Sequence, residues 1–194
     1  MYHLRRARPL GDRSRGAAAV EAALVLPVIL VIFFAIFEFG LLFKDWLGVV
    51  SAVRAGARIA SAEPRVSTFA QDAALQVQNG STGIDMSGLQ AMWVYQADSN
   101  GNPVGGSSSF TSCTTCVKFT WDNVNKKFIL PAAYTGWTAL QQNACPGDPA
   151  HDTIGIYMEL KHQWITNAIF TSPIVLKEHT VMSLEPMPTT SGCK

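Results

Sequence analysis

From Ala22 to Phe37 no polar side chain interrupts the chain, and apolar residues continue around Glu38 to Phe43 before Lys44-Asp45. As an α-helix, residues 17–43 are about 40 Å long at ~1.5 Å per residue, against roughly 30 Å for the hydrocarbon layer of a bilayer. A soluble core helix of this character needs other helices around it, and the rest of the sequence does not supply them. The segment therefore predicts one membrane span. In 194 residues this leaves room for one ordinary domain and argues against a multidomain enzyme. A hydrophobic share of 48% with 15% charged residues also excludes a disordered chain.

Charge sets the direction of the span. The chain has 15 Lys+Arg and 14 Asp+Glu, yet five of the arginines (Arg5, Arg6, Arg8, Arg13, Arg15) and only Asp12 fall in residues 1–16. A basic leader before the span and a lone Lys44 just after it predict a single-pass protein of the cytoplasmic membrane, N-terminus in the cytoplasm and the bulk extracytoplasmic. A secretory signal peptide has a shorter apolar core and a small-residue cleavage site close behind it. Here the Ala-x-Ala candidates, 55–57 and 60–62, lie too far beyond the span. The small residue that matters precedes the span: Gly16 separates the arginines from Ala17, with Glu21 fifth after it. Cutting there would remove the basic leader and leave the helix attached.

The run RGAAAVEAALVLPVIL resembles the N-terminus of TadE-like proteins, the pseudopilins of the tight-adherence (Tad/Flp, type IVb) pilus systems. The likeness rests on Arg15-Gly16, Ala17, Val20-Glu21, the Ala23–Pro27 run and Glu38-Phe39-Gly40. Beyond the span, VRAGARIAS at 53–61 and VMSLEP at 181–186 are similar to stretches of family members, whereas roughly 64–150 carries no resemblance. Position 22 is Ala where the family commonly has an aromatic residue, a departure that leaves the cleavage logic intact. The resemblance implies a minor pseudopilin, non-catalytic and without cofactor or metal, cut by a prepilin peptidase between Gly16 and Ala17. Its partners would be the lipid bilayer, that peptidase, other pilins or pseudopilins and the Tad inner-membrane machinery.

A carboxylate at bilayer depth costs on the order of 2.5–3.5 kcal/mol, so Glu21 and Glu38 each need an explanation. Cleavage after Gly16 would place an α-amine on Ala17 at i, i+4 from Glu21, and a neighbouring subunit's amine could serve equally. The resemblance favours the second, with Glu21 registering one subunit against the next. The plainer alternative leaves Glu21 in the headgroup zone. Glu38 has no basic residue at i±3 or i±4, so it is protonated, near the outer interface, or paired with another chain as a second assembly residue. Pro27 lacks the N–H that would bond the carbonyl of Ala23, which predicts a kink tolerated in a membrane helix.

Beyond the span, Trp46, Val49, Val50, Val53, Ala57 and Ala60 recur at helical spacing up to Pro64, predicting an amphipathic stem over 44–62. Gly48, Ala52, Gly56 and Ala60 form a row of small residues on which another helix or the protein's own sheet can approach closely; Arg54 and Arg58 form a solvated face. Residues 64–194 then read as an extracytoplasmic head: a short helix over 68–79, alternating strands at 89–97, 117–121 and 128–130, an exposed turn-rich loop at 99–109, a strand at 154–164 and a last one at 174–184 pairing with it antiparallel. In the 154–164 strand Ile154, Ile156, Met158, Leu160 and Trp164 share one face. The expected fold is α+β and pilin-like: a long transmembrane helix continuing into the stem and packed on a small antiparallel sheet.

Cys113, Cys116, Cys145 and Cys193 all lie beyond the span, and an even count outside the cytoplasm predicts two disulfides. Three connectivities are open, and stapling the central loops favours a bond from Cys113 or Cys116 to Cys145. A redox use of Cys113-Thr-Thr-Cys116 lacks a following helix, and a zinc site lacks a second close ligand pair, Cys145 with His151 being a poor one. His3, His162 and His179 give no catalytic lead. No phosphate loop, HExxH or GxSxG is present, and an acidic body without a basic-aromatic stripe argues against nucleic acid. Two other classes compete with the pseudopilin: an unprocessed membrane-anchored binding module and, more distantly, an anchored thiol oxidoreductase.

Overall fold

A computed structural model describes residues 11–130, 136–167 and 170–187, with side chains from residue 16 onward; most of the basic leader and Cys193 lie outside the described residues. The elements are α1 (Gly11–Ala62), α2 (Phe69–Gly80), β1 (Leu89–Ala97), β2 (Val117–Asp122), β3 (Lys127–Ile129), β4 (Thr153–His162) and β5 (Ile174–Ser183). Two compact units result: α1 up to Leu41 together with Trp164–Thr171, and Leu42–Gln163 together with the segment from Ser172.

The second unit is an α+β fold on an antiparallel sheet of order β3-β2-β1-β4-β5. On one face Met92, Val94, Ile154, Ile156, Met158 and Phe119 are buried against Val49, Val53, Ala57 and Ala60 of α1 and Phe69, Ala73 and Val77 of α2. The helical spacing of the stem thus becomes the core-facing stripe of α1, and Arg54 and Arg58 are exposed. The small-residue row serves the protein's own packing. A Cβ on Gly56 would meet Val77 and the carbonyl of Ala73, and one on Gly80 would fall 3.0 Å from the Cα of Ala52. α1 stops at Ala62, before Pro64, because the proline disfavours helical geometry in the residue preceding it.

The opposite face is covered in part, around Trp93, Tyr95 and Tyr157, which the alternating pattern of the strands did not suggest. Register places Trp93, Tyr157 and His179 side by side across β1, β4 and β5. Phe110 stacks on Tyr157 with centroids 4.1 Å apart, and Lys118 Nζ lies 4.4 Å from the centre of the Trp93 ring. The loop at 99–109 is exposed at 99–100, 105–106 and 108–109, as expected, but its middle folds back on this face. Gly101 and Pro103 are buried, and the Tyr95 hydroxyl donates to the Gly101 carbonyl at 3.0 Å. Tyr95 faces Gly155 in register, and any Cβ at 155 would collide with its ring. Burial first, then the charge of Asp98, pushes the Tyr95 phenol above its ordinary pKa. For Tyr157 the causes are burial and then its hydrogen bond to Glu159.

Two expectations are corrected. β4 ends at His162, so Trp164 does not share a strand face with Ile154 and Leu160; it belongs to the loop that packs with the first unit. Cys113 and Cys116 are bonded to each other, Cα atoms 5.7 Å apart, so neither staples the central loop to Cys145. Cys145 is itself disulfide-bonded. The short bridge fits the tight turn that leads into β2, where Thr115 donates its hydroxyl to the Val104 carbonyl at 2.6 Å.

The segment that follows β5 is tied in along its backbone. Leu184, Glu185 and Met187 donate their N–H groups to the carbonyls of Asp152, Ser61 and Ala144. The VMSLEP segment therefore finishes β5 and secures the end of α1. Beside it, Asn143 donates to Asp148 at 2.7 Å, and this bond, with that from the Ala150 N–H, holds the Asp148 carboxyl below the usual range.

Candidate membrane and assembly site

Gly16, Ala17, Glu21 and Pro27 all lie in α1, which runs helically through both Gly16 and Pro27. Around Gly16 there is open space for a Cβ. Ala17 and Glu21 are exposed. The helix between them and Glu38 presents Leu24, Ile29, Phe33, Ile36 and Phe37 outward, and none of its most apolar eighteen-residue stretch is buried. A helix this apolar and this uncovered is long enough to cross a membrane.

Glu21 and Glu38 do not form one site. They are separated by about 25 Å along the helix at ~1.5 Å per residue. Their surroundings differ just as much, because Glu38 is only 1% exposed. The backbone N–H of Ile165 donates to its Oε2 at 3.1 Å, the N–H of Thr166 to its Oε1 at 2.6 Å, and the Thr166 hydroxyl to Oε1 at 2.7 Å. Successive N–H groups converging on one anion form a nest, the backbone device that receives carboxylates and phosphates. Asn167 follows at φ 49°, a left-handed conformation that Asn tolerates better than most residues and that turns the chain after the nest. The partner sought for Glu38 at i±3 and i±4 thus comes from 127 residues further along the same chain.

Next to Glu38, Phe39 meets Trp164 edge to face at 6.2 Å and Phe170 at 5.4 Å, and Trp164 and Phe170 lie 4.6 Å apart. Such aromatic pairs each add about 0.5–1.5 kcal/mol beyond the area they bury. Sequence reasoning missed this cluster because Trp164 continued the alternation of β4. The available signal was the absence of charge from Gln163 to Leu176 together with Trp164 and Phe170, the composition of an interfacial segment.

Among the described residues, one exposed apolar helix whose later turns enter the core of an antiparallel sheet defines the class: an α+β head on an N-terminal apolar helix. Residues 16–58 match the family model of TadE-like protein, so this stretch of the chain is TadE-like. The match includes Gly16, Ala17, Glu21, Pro27 and Glu38; the sheet lies outside it. No curated protein and no solved structure matches the chain.

Proposed function

We propose that this chain is a minor pseudopilin of a tight-adherence (Tad/Flp) pilus or secretion apparatus, held in the cytoplasmic membrane by α1 with its N-terminus inside and its sheet outside. A prepilin peptidase removes the leader after Gly16, and the mature chain, beginning at Ala17, takes part in pilus assembly through Glu21. The role is structural, exercised through contacts with other pilins or pseudopilins and the inner-membrane machinery. The observation that carries this reading is the TadE-like match from Gly16 onward, laid over an uncovered apolar helix with Glu21 exposed near its start.

The N-terminal residue of protein extracted from its native membrane tests it. Ala17 is expected, with a mass loss equal to residues 1–16; an intact Met1 on the assembled protein overturns the reading. Gly16→Val should block the cut while leaving insertion unchanged. Nothing within 4 Å of Gly16 in the protein itself opposes a side chain, so the obstruction would arise in the peptidase.

A further inference from the structure

The loop that leaves β4 at Trp164 and returns at Phe170 has an architecture that a water-exposed connection does not need. The N–H groups of Ile165 and Thr166 donate to Glu38, the rings of Trp164 and Phe170 meet Phe39, and yet Ile165 remains 65% exposed. We propose that this loop is a second membrane contact, seated in the outer leaflet at the boundary between headgroups and acyl chains, with Ile165 inserted among the lipids. The proposal rests on α1 being the membrane span.

Depth is the argument. With Glu21 at the cytoplasmic surface, the roughly 20 residues that a hydrocarbon layer requires extend to about residue 41. Glu38 and Phe39 then lie within about 5 Å of the outer boundary, on its inner side, at ~1.5 Å per residue. The first charged residues beyond them are Lys44 and Asp45. The rings of Trp164 and Phe170, 6.2 and 5.4 Å from that of Phe39, lie no further than this from its depth. Irregular backbone is tolerated at such a level only where its polar groups are satisfied by protein, and the nest around Glu38 satisfies the N–H groups of Ile165 and Thr166. The same bonds offset the cost of a carboxylate there, so the loop and Glu38 each make the other's position tenable. The stretch 163–176 contains no Lys, Arg, Asp or Glu. It is suited to the apolar boundary of any bilayer, and attraction to anionic headgroups has no part in it.

A nitroxide label tests this in the full-length, oxidised protein reconstituted into phosphatidylcholine vesicles, with identically treated wild type as the blank. Three single-cysteine substitutions are compared: Ile165→Cys, Phe33→Cys in the middle of the apolar helix, and Val124→Cys in the β2–β3 turn, where the side chain is 88% exposed. Thr171→Cys, also at an exposed position, repeats the loop measurement with an independent substitution. Labels at 165 and 33 are expected to be several-fold less accessible to an aqueous nickel complex than the label at 124, and more accessible to oxygen, which partitions into lipid. A label at 165 that behaves like 124 while 33 stays protected overturns the loop proposal alone. If 33 is also open to the nickel complex, the membrane reading falls and this proposal with it. Protection of 165 from both reagents would mean a protein neighbour in place of lipid, and would likewise overturn it.

Discussion

Glu38 shows how little a local spacing rule reveals about a buried carboxylate. Charge pairing along a helix operates over three or four residues, and by that rule Glu38 has nothing. Its two oxygens instead accept from two N–H groups and a hydroxyl of the 165–166 turn. Removing the carboxylate would leave those donors without their acceptor, at about 1–3 kcal/mol. Glu38→Ala should therefore speed amide exchange at Ile165 and Thr166 by about one to two decades, at ~1.4 kcal/mol per decade. Glu38→Gln, which retains one acceptor oxygen, should fall between. Exchange at those amides that does not change in the alanine variant would show that the nest is held by the aromatic cluster alone.

At the level of elements, what was legible in the sequence was whatever a single period could encode. The stripe Val49, Val53, Ala57 and Ala60 marked the core side of α1, and alternation marked β1, β2 and β4. Pairing of β4 with β5 was anticipated and runs from Thr153↔Ser183 to His162↔Ile174. What escaped was long-range closure by irregular chain. The fold of 99–110 over Trp93 and Tyr157 depends on Phe110 at φ 56° and on turns that no periodicity records. The end of β4 was overrun because Trp164 kept the alternation for one more step. The disulfide has a similar lesson, since proximity in the turn outranked the loop that a longer bridge would have closed. A bridge between residues three apart restricts the unfolded chain little, so its contribution falls at the low end, about 2 kcal/mol. For Cys113→Ala with Cys116→Ala the thermal midpoint of the head should drop by about 4–8 °C. A fall several times larger would mean that the turn organises the whole 98–116 covering, and no fall would mean that the bridge only decorates it.

Across the whole molecule, Glu21 and Glu38 of α1 divide the work that the sequence left undivided. Glu38 is engaged within the chain, whereas Glu21 is exposed. On the proposed function, Glu21 is the one of these two that would hold an amine belonging to a neighbour. A hydrogen bond to a charged group contributes about 1.5–3 kcal/mol, and at ~1.4 kcal/mol per decade its loss lowers the incorporated fraction at least about tenfold. Glu21→Gln, which keeps the shape and removes the charge, should insert in the membrane and be cut to Ala17 yet fail to enter the pilus apparatus. Glu38→Gln should insert, be cut and be incorporated, because its deficit is confined to the 164–170 loop. The assay is the ratio of assembled to membrane-resident mature protein for each variant against wild type. Normal incorporation of the Glu21 variant would return that residue to the headgroup zone with no partner in assembly, and failure of the Glu38 variant would mean that the loop it fastens is itself part of the subunit contact.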